Sequence, residues 1–212
     1  MGYENIDFLA DVANYYSLKL ATHGETPLGV DWNGEKSQVL RFEQLTQVIS
    51  HPENFSLNDL GCGYGALFDY LSVHYRNFSY TGYDISDNMI RTARNRHSQK
   101  INPRFILSQI PSETADFCIA SGIFNVKLER SDSEWQRYLE NTLDAMNRTS
   151  RLGFAFNCLT SYSDADKMQN HLHYIDPSIL FTHCKQNYSR NIALLHDYGL
   201  YEFTIIVRKN IE

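Results

Sequence analysis

The sequence has no long apolar stretch. No run of hydrophobic residues approaches the ~20 that a helix needs to cross a bilayer. Residues 1–7 have neither the basic region nor the apolar segment of a secretion signal. The absence of both features argues against a membrane-spanning or secreted protein. It predicts that the chain works in the cytoplasm and has no membrane partner.

Cysteines are few and far apart. The chain has four of them, and none forms a Cys-x-x-Cys motif. Cys62, Cys118 and Cys158 lie in apolar, strand-like runs, so we expect buried free thiols there. This pattern fits the reducing conditions of the cytoplasm.

A basic excess is also missing. The formal net charge is −6, with 19 Lys and Arg residues against 25 Asp and Glu residues. Proteins that bind nucleic acid usually show a basic balance or a basic stripe. The one basic cluster, within residues 91–100, falls on a predicted surface helix, where a solvated face is expected. The composition therefore predicts that nucleic acid is not a partner.

Strand-like and helix-like segments alternate along the chain. With 212 residues and 42% hydrophobic residues, the chain can form one domain around one core. The alternation predicts an α/β fold, a three-layer sandwich with a mostly parallel seven-stranded sheet. Residues 191–198 and 200–208 flank Gly199 and predict a C-terminal antiparallel hairpin. Residues 1–34 combine a helix with a Gly/Pro loop and predict a helical lid.

A glycine-rich loop preceded by an acid is the most specific feature. Asp59 stands two residues before Gly61, and Gly63 and Gly65 follow at alternate positions. Glycines let the backbone turn sharply and approach a ligand, and the following helix directs free N–H groups toward it. Asp84 comes 19 residues after the last glycine, at a predicted strand end. Its carboxylate can accept both hydroxyl hydrogens of a ribose, which predicts a nucleoside-containing cofactor.

This spacing resembles the class I S-adenosylmethionine-dependent methyltransferases. Their first motif is an acid, any residue and then Gly-x-Gly-x-Gly, and their second is an acid that binds ribose. The resemblance implies that Asp59 lies near the methionine end of S-adenosylmethionine and that Asp84 binds the ribose. It also implies that Met89 packs against adenine. Gln109 and Ile110 stand where the family often has an acid and an apolar residue beside adenine, so the amide departs from that pattern.

The resemblance implies methyl transfer to a small or medium-sized molecule. The run at 29–33, followed by Ser-Gln and Arg-Phe, is similar to stand-alone bacterial members. We expect one methyltransferase domain over 1–212, with a cofactor-binding core at 35–212 and an insert at about 159–188. A nicotinamide-dependent oxidoreductase, a protein methyltransferase and a cofactor-binding protein without catalysis are alternatives that the motif leaves open.

Aromatic and polar residues near the predicted strand ends are candidates for the acceptor pocket. They come from the lid, from the end of the fourth strand and from the end of the fifth: Tyr15, Tyr16, Trp32, Ser121, Phe124, Asn157 and Tyr162. Arg41 could hold the cofactor carboxylate bidentately. The alternative for Arg41 is a surface ion pair with Glu35 or Glu43.

Two histidines in the insert are candidates for a general base. His171 and His173 are two residues apart, so they cannot form a metal pair on one helix face, and no third ligand is evident. We therefore predict no metal. Because the sulfonium carbon is already activated, positioning of the acceptor can suffice. Solvent-exposed loop histidines without a catalytic role are thus the alternative.

Overall fold

The computed structural model describes residues 8–101 and 103–209, so the first seven residues of the predicted lid lie outside the described part. The helices are α1 (Phe8–His23), α2 (Glu35–Thr46), α3 (Ala66–His74), α4 (Asp87–Arg96), α5 (Asp132–Arg148) and α6 (Pro177–Asn187), with a 3-10 turn at Pro27–Val30. The strands are β1 (Ser56–Leu60), β2 (Ser79–Asp84), β3 (Pro103–Leu107), β4 (Ala115–Ala120), β5 (Ser150–Thr160), β6 (Tyr174–Ile175), β7 (Asn191–Leu195) and β8 (Glu202–Arg208).

The strands form one sheet in the order β3-β2-β1-β4-β5-β8-β7. The first five strands of the chain run parallel, whereas β8 lies antiparallel to both β5 and β7. This confirms the predicted mostly parallel sheet with its C-terminal hairpin, and the two-residue β6 adds a short pairing to β5. The chain order reverses between β1 and β4, which opens a crevice at the carboxyl ends of these strands.

Both faces of the sheet are covered, which confirms the three-layer arrangement. Along β4, Phe117 and Ile119 join the core on the side of α2, α3 and α4. Cys118 and Ala120 join the core on the side of α5 and α6. This alternation follows from the two-residue period of a strand. Within the described residues, none of the helices combines the length and the apolar character needed to span a bilayer.

The segment at 159–188 is more regular than predicted. It contains β6 and all of α6, an 11-residue helix with Asp176 as its N-cap and Pro177 in its first turn. Leu180 and Cys184 on this helix are fully buried against the sheet. The sequence predicts an irregular stretch with a short helix after Asp176 and Pro177, so α6 lies where a helix is expected and only β6 is added.

The lid is tied together by its own polar contacts. Leu9 and Val12 of α1 pack around Trp135 of α5. The Tyr15 hydroxyl donates to one Asp31 oxygen at 2.6 Å, and Lys19 Nζ donates to the other oxygen at 2.6 Å. These bonds join α1 to the end of the 3-10 turn and hold that turn over the crevice.

Candidate active site

A narrow cleft lies where β1, β2 and β4 end, and its volume is about 90 Å³. Six of the nine predicted cofactor residues line it: Asp59, Gly61, Gly63, Asp84, Met89 and Gln109. Tyr16, Trp32 and Ser121, which were predicted for the acceptor pocket, line it as well. We refer to it below as the first cleft.

The glycines of the loop serve different purposes. Gly63 has φ +54°, and a Cβ added there would lie 3.0 Å from Val30 Cγ1 and 4.0 Å from Met89 Sδ. A side chain at position 63 would therefore crowd Val30 of the lid at the edge of the cleft. Gly65 does not line the cleft: it is the N-cap of α3 with φ +88°, and an added Cβ would lie 2.7 Å from His97 Nε2. The structure thus needs Gly65 for the start of the helix and for packing.

Asp84 is held by backbone donors at the end of β2. One carboxylate oxygen accepts from the Gly63 N–H at 2.9 Å, and the other accepts from the Ser86 N–H at 2.8 Å. Burial raises the pKa of Asp84, while these backbone bonds act in the opposite direction. A carboxylate oxygen can accept two hydrogen bonds, so each oxygen keeps capacity for a hydroxyl donor.

Asp59 is more deeply buried, with 2% of its surface exposed. It accepts a 2.5 Å hydrogen bond from the Tyr80 hydroxyl. Burial raises the pKa of Asp59 to about 7, although the Tyr80 bond lowers it. A cationic group bound nearby would favour the ionised carboxylate and bring this pKa down again.

Arg41 does not line the first cleft. Its guanidinium is buried, and Nε donates to both carboxylate oxygens of Glu202 at 2.9 Å, while Nη2 also donates to Oε1. Nη1 donates to the Ser37 carbonyl at 2.8 Å. The structure therefore corrects the expected position, since Arg41 lies outside the first cleft and pairs with Glu202 and not with Glu35 or Glu43. Only the packing of α2 on β8 brings Arg41 and Glu202 together.

Trp32 is clamped between this ion pair and the loop after β4. The Arg41 guanidinium lies 3.9 Å from the centre of the indole. Asn157 Nδ2 donates to Glu202 at 2.6 Å, and its Oδ1 accepts from the Gly122 N–H at 2.8 Å. A Cβ on Gly122 would lie 2.4 Å from the indole, so Gly122 packs directly against Trp32. The contacts therefore form a ring that begins and ends at Trp32. We call these five residues the Trp32 clamp.

A second cleft opens beside the first, with a volume of about 810 Å³. The predicted residues Tyr15, Tyr16, Trp32 and His171 line it, and so does Arg41. The two clefts share Tyr16, Trp32 and one residue that the sequence did not single out, Val30. The volume lies within the roughly 300–1,000 Å³ typical of small-molecule sites.

The remaining predicted residues lie outside both clefts. Phe124 is fully buried, and Tyr162 is 69% exposed. Asn157 reaches the first cleft only indirectly, because its Oδ1 accepts a hydrogen bond from the Gly122 N–H. Ile110 lines neither cleft. His173 is buried behind the second cleft, burial lowers its pKa, and its Nε2 has no hydrogen-bond partner among the described residues.

The two candidate bases are therefore separated, and only His171 faces the second cleft. Ser121 Oγ, on the first cleft, also lacks a hydrogen-bond partner in the described part of the chain. Across residues 8–101 and 103–209, no three His, Cys, Asp or Glu side chains gather as a metal site would require.

Sequence reasoning missed several residues of the site. Gln38, Tyr64 and Ile123 line the first cleft, and Asn125 and Glu202 line the second. Glu202 could have been found from the sequence, because it is the one acid in a mostly apolar strand-like run. A charge buried in such a strand requires a partner. The others depend on how the lid and the loops fold back, which local patterns do not show.

Comparison with known proteins decides the family. Residues 58–152 match the family described as "Methyltransferase domain". The Mycobacterium tuberculosis protein Rv1506c, provisionally named a methyltransferase, is 53% identical over 163 residues, which is 77% of this chain and 98% of that protein. The chain belongs to the class I S-adenosylmethionine-dependent methyltransferases.

Solved structures share the fold of this methyltransferase. Magnesium protoporphyrin IX methyltransferase from Synechocystis, with bound S-adenosylmethionine, superposes with a TM-score of 0.66 at 12% identity, over 98% of this chain and all (100%) of that one. The N-methyltransferase NodS from Bradyrhizobium japonicum, with S-adenosylhomocysteine, has a TM-score of 0.65 at 14% identity, over 92% of this chain and 97% of that one. At such identities the likeness shows the fold alone.

The lining of the first cleft suits the family's cofactor, but its volume of about 90 Å³ is below the roughly 300–1,000 Å³ typical of ligand sites, so the lid has to move for the cofactor to enter. The loop at Gly63 has no side chain on the cleft side, and Asp84 keeps acceptor capacity for hydroxyl groups. Met89 lies on the wall of the same cleft. An open loop, a hydroxyl acceptor and an apolar wall are what a nucleoside with a charged tail requires.

The lid of the methyltransferase should become more protected when cofactor binds. Val30 lies against Gly63, so a ligand in the narrow first cleft must contact the lid or move it. Closure over the ligand would then exclude water. We expect amide hydrogen exchange in residues 15–32 to slow on addition of S-adenosylhomocysteine, while exchange in β7 stays unchanged. Identical exchange of residues 15–32 in both states would contradict the lid role.

Proposed function

We propose that this methyltransferase acts on a small molecule that binds in the second cleft. The observation that carries the proposal is the wall that the two clefts share, formed by Tyr16, Val30 and Trp32. A cofactor in the first cleft and an acceptor in the second would meet at this wall. The substrate named for one structural neighbour, magnesium protoporphyrin IX, is also a small molecule.

On the cofactor side, four residues have proposed roles. Asp84 would bind the ribose hydroxyls, and Asp59 would lie near the amino group of the methionine end. Met89 and Gln109 would contact adenine. When bound, the cofactor supplies a methyl group activated by a sulfonium. The protein's task is then to align the acceptor with that group and to exclude water.

On the acceptor side, His171 is the proposed general base. It lines the second cleft, where its ring lies 6.1 Å from the Tyr15 ring. A His171 ring nitrogen would accept the acceptor's proton as the acceptor atom takes the methyl group, and the sulfur of the cofactor would keep the electron pair of the broken bond. This transfer is needed only for an acceptor that keeps its proton near neutral pH.

A protein methyltransferase and a cofactor-binding protein without catalysis are the competing functions. The second cleft is a concave pocket rather than an open charged groove, which favours a small acceptor. The acidic net charge of −6 supports the absence of a nucleic-acid partner. We also propose that the protein works in the cytoplasm, which its four free, buried cysteines support.

Transfer of a radiolabelled methyl group tests the proposal. With labelled S-adenosylmethionine and a cell extract, label should enter the small-molecule filtrate and not protein or nucleic acid. We expect His171→Ala to lower the rate ~10²-fold with unchanged affinity for S-adenosylhomocysteine. His173→Ala is the matched control and should stay close to wild type, since His173 lines neither cleft. Label confined to protein would refute a small acceptor.

A further inference from the structure

The cationic side chains that line the second cleft are all paired with carboxylates. Among the described residues, three cations other than histidine line the cleft, and each has a partner. Lys19 binds Asp31 at 2.6 Å, Arg41 binds Glu202, and Lys167 lies 3.2 Å from Asp166. Lys19 and Arg41 are thus already neutralised within the lining, whereas Lys167 is 60% exposed and its partner Asp166 does not line the cleft.

This charge balance disfavours anionic acceptors. A carboxylate or phosphate entering the cleft would lose water while Lys19 and Arg41 stay engaged with Asp31 and Glu202. A neutral ligand has no such cost. Resting on the proposed function, we propose that the second cleft takes a neutral, hydroxyl-bearing ring as its acceptor, and that Asp31 and Glu202 are specificity residues that reject anions.

The uncharged lining suits hydroxyl groups. Its amides, hydroxyl and imidazole come from five residues: Asn33, Asn125, Ser163, Gln169 and His171. Asn125 is 5% exposed, and its Oδ1 accepts from the Leu159 N–H at 3.3 Å. Its Nδ2 makes no hydrogen bond with the described residues and is not among their fully buried unsatisfied atoms, so an acceptor hydroxyl can replace water at that donor.

Aromatic side chains complete the cleft and suit the apolar faces of a ring. They are Tyr15, Tyr16, Trp32, Tyr174 and Tyr201. Aromatic side chains present large, rigid faces together with hydroxyl or N–H groups. Flat apolar faces beside uncharged polar groups match a ring that carries hydroxyl groups, either a sugar or a phenol.

A matched pair of probes tests this charge preference. Phenyl β-glucoside and phenyl β-glucuronide differ only where a hydroxymethyl group becomes a carboxylate. Binding is measured by calorimetry on protein saturated with S-adenosylhomocysteine. We expect the wild type to bind the glucoside about tenfold more tightly than the glucuronide. Methyl β-glucoside and phenol, tested separately, show whether the sugar or the aromatic ring is recognised.

Asp31→Asn should change the preference in a predictable direction. It leaves Lys19 without its carboxylate partner, so glucuronide affinity should rise about tenfold while glucoside affinity changes little. Glu202→Gln, which frees Arg41, should act in the same direction; because it also lowers stability, its binding is measured at a temperature where circular dichroism shows the variant to be folded. Asp87→Asn is the matched control, since it frees Arg91 on α4 away from the cleft and should change neither affinity.

The outcomes separate this inference from the proposed function. Tighter binding of the glucuronide by wild type, or an unchanged preference in the Asp31 and Glu202 variants, would overturn the neutral-acceptor inference. Failure of all four probes on protein that binds S-adenosylhomocysteine would overturn it too, yet leave methyl transfer standing. Failure to bind S-adenosylhomocysteine at all would instead remove the proposed function.

Discussion

Gly63→Val is expected to abolish cofactor binding while leaving a folded protein. Valine would place its side chain in the first cleft, 3.0 Å from Val30 Cγ1 at the Cβ alone, and it would strain a backbone with φ +54°. We expect affinity for S-adenosylhomocysteine to fall by at least ~100-fold, or about 2.8 kcal/mol. Calorimetry measures the affinity, and thermal melting checks that the variant is folded.

Gly199→Val is the control that distinguishes blocking of the first cleft from the effect of backbone strain. Gly199 has φ +72°, but an added Cβ meets nothing within 4 Å, so this variant carries similar strain without reaching the first cleft. Its cofactor affinity should match that of wild type. Asp84→Ala gives an intermediate reference, with a loss of about 1–3 kcal/mol for hydrogen bonds to a charged group. Wild-type affinity in Gly63→Val would refute the placement of the cofactor in the first cleft.

Glu202→Ala is expected to cause the largest loss of stability. It would leave the buried Arg41 guanidinium without its counter-charge, and the Asn157 amide without its acceptor. Removing one partner of a buried pair costs about 3–5 kcal/mol. For a domain of this size that corresponds to a fall in Tm of roughly 6–20 °C, measurable by calorimetry or circular dichroism.

Two controls show whether the loss comes from an unpaired buried charge. The double variant Arg41→Met with Glu202→Leu removes both charges and should recover most of the stability, since apolar replacement of a buried pair is often neutral. Glu113→Ala breaks an exposed pair with Arg104 and should melt close to wild type. If Glu202→Ala also melts like wild type, the Trp32 clamp does not stabilise the fold.

The fold could be predicted because its signals are local. The two-residue period of β4 and the helical spacing of α5 reflect which side chains face the core, and each is visible within one segment. The strand β6 was harder to predict, since two residues are too few for a periodic pattern and the strand forms only by pairing with the end of β5.

The sequence by itself determined the family, because the motif residues Asp59, Gly63 and Asp84 stand at short, characteristic spacings along the chain. Only the tertiary structure decided the acceptor side. Arg41 and Glu202 are far apart in the chain, and they meet only because α2 packs beside β8. Neighbouring His171 and His173 diverge because the backbone turns one toward the cleft and buries the other. Spacing along a chain reports local geometry, whereas the closure of a pocket depends on contacts between segments that no local pattern specifies.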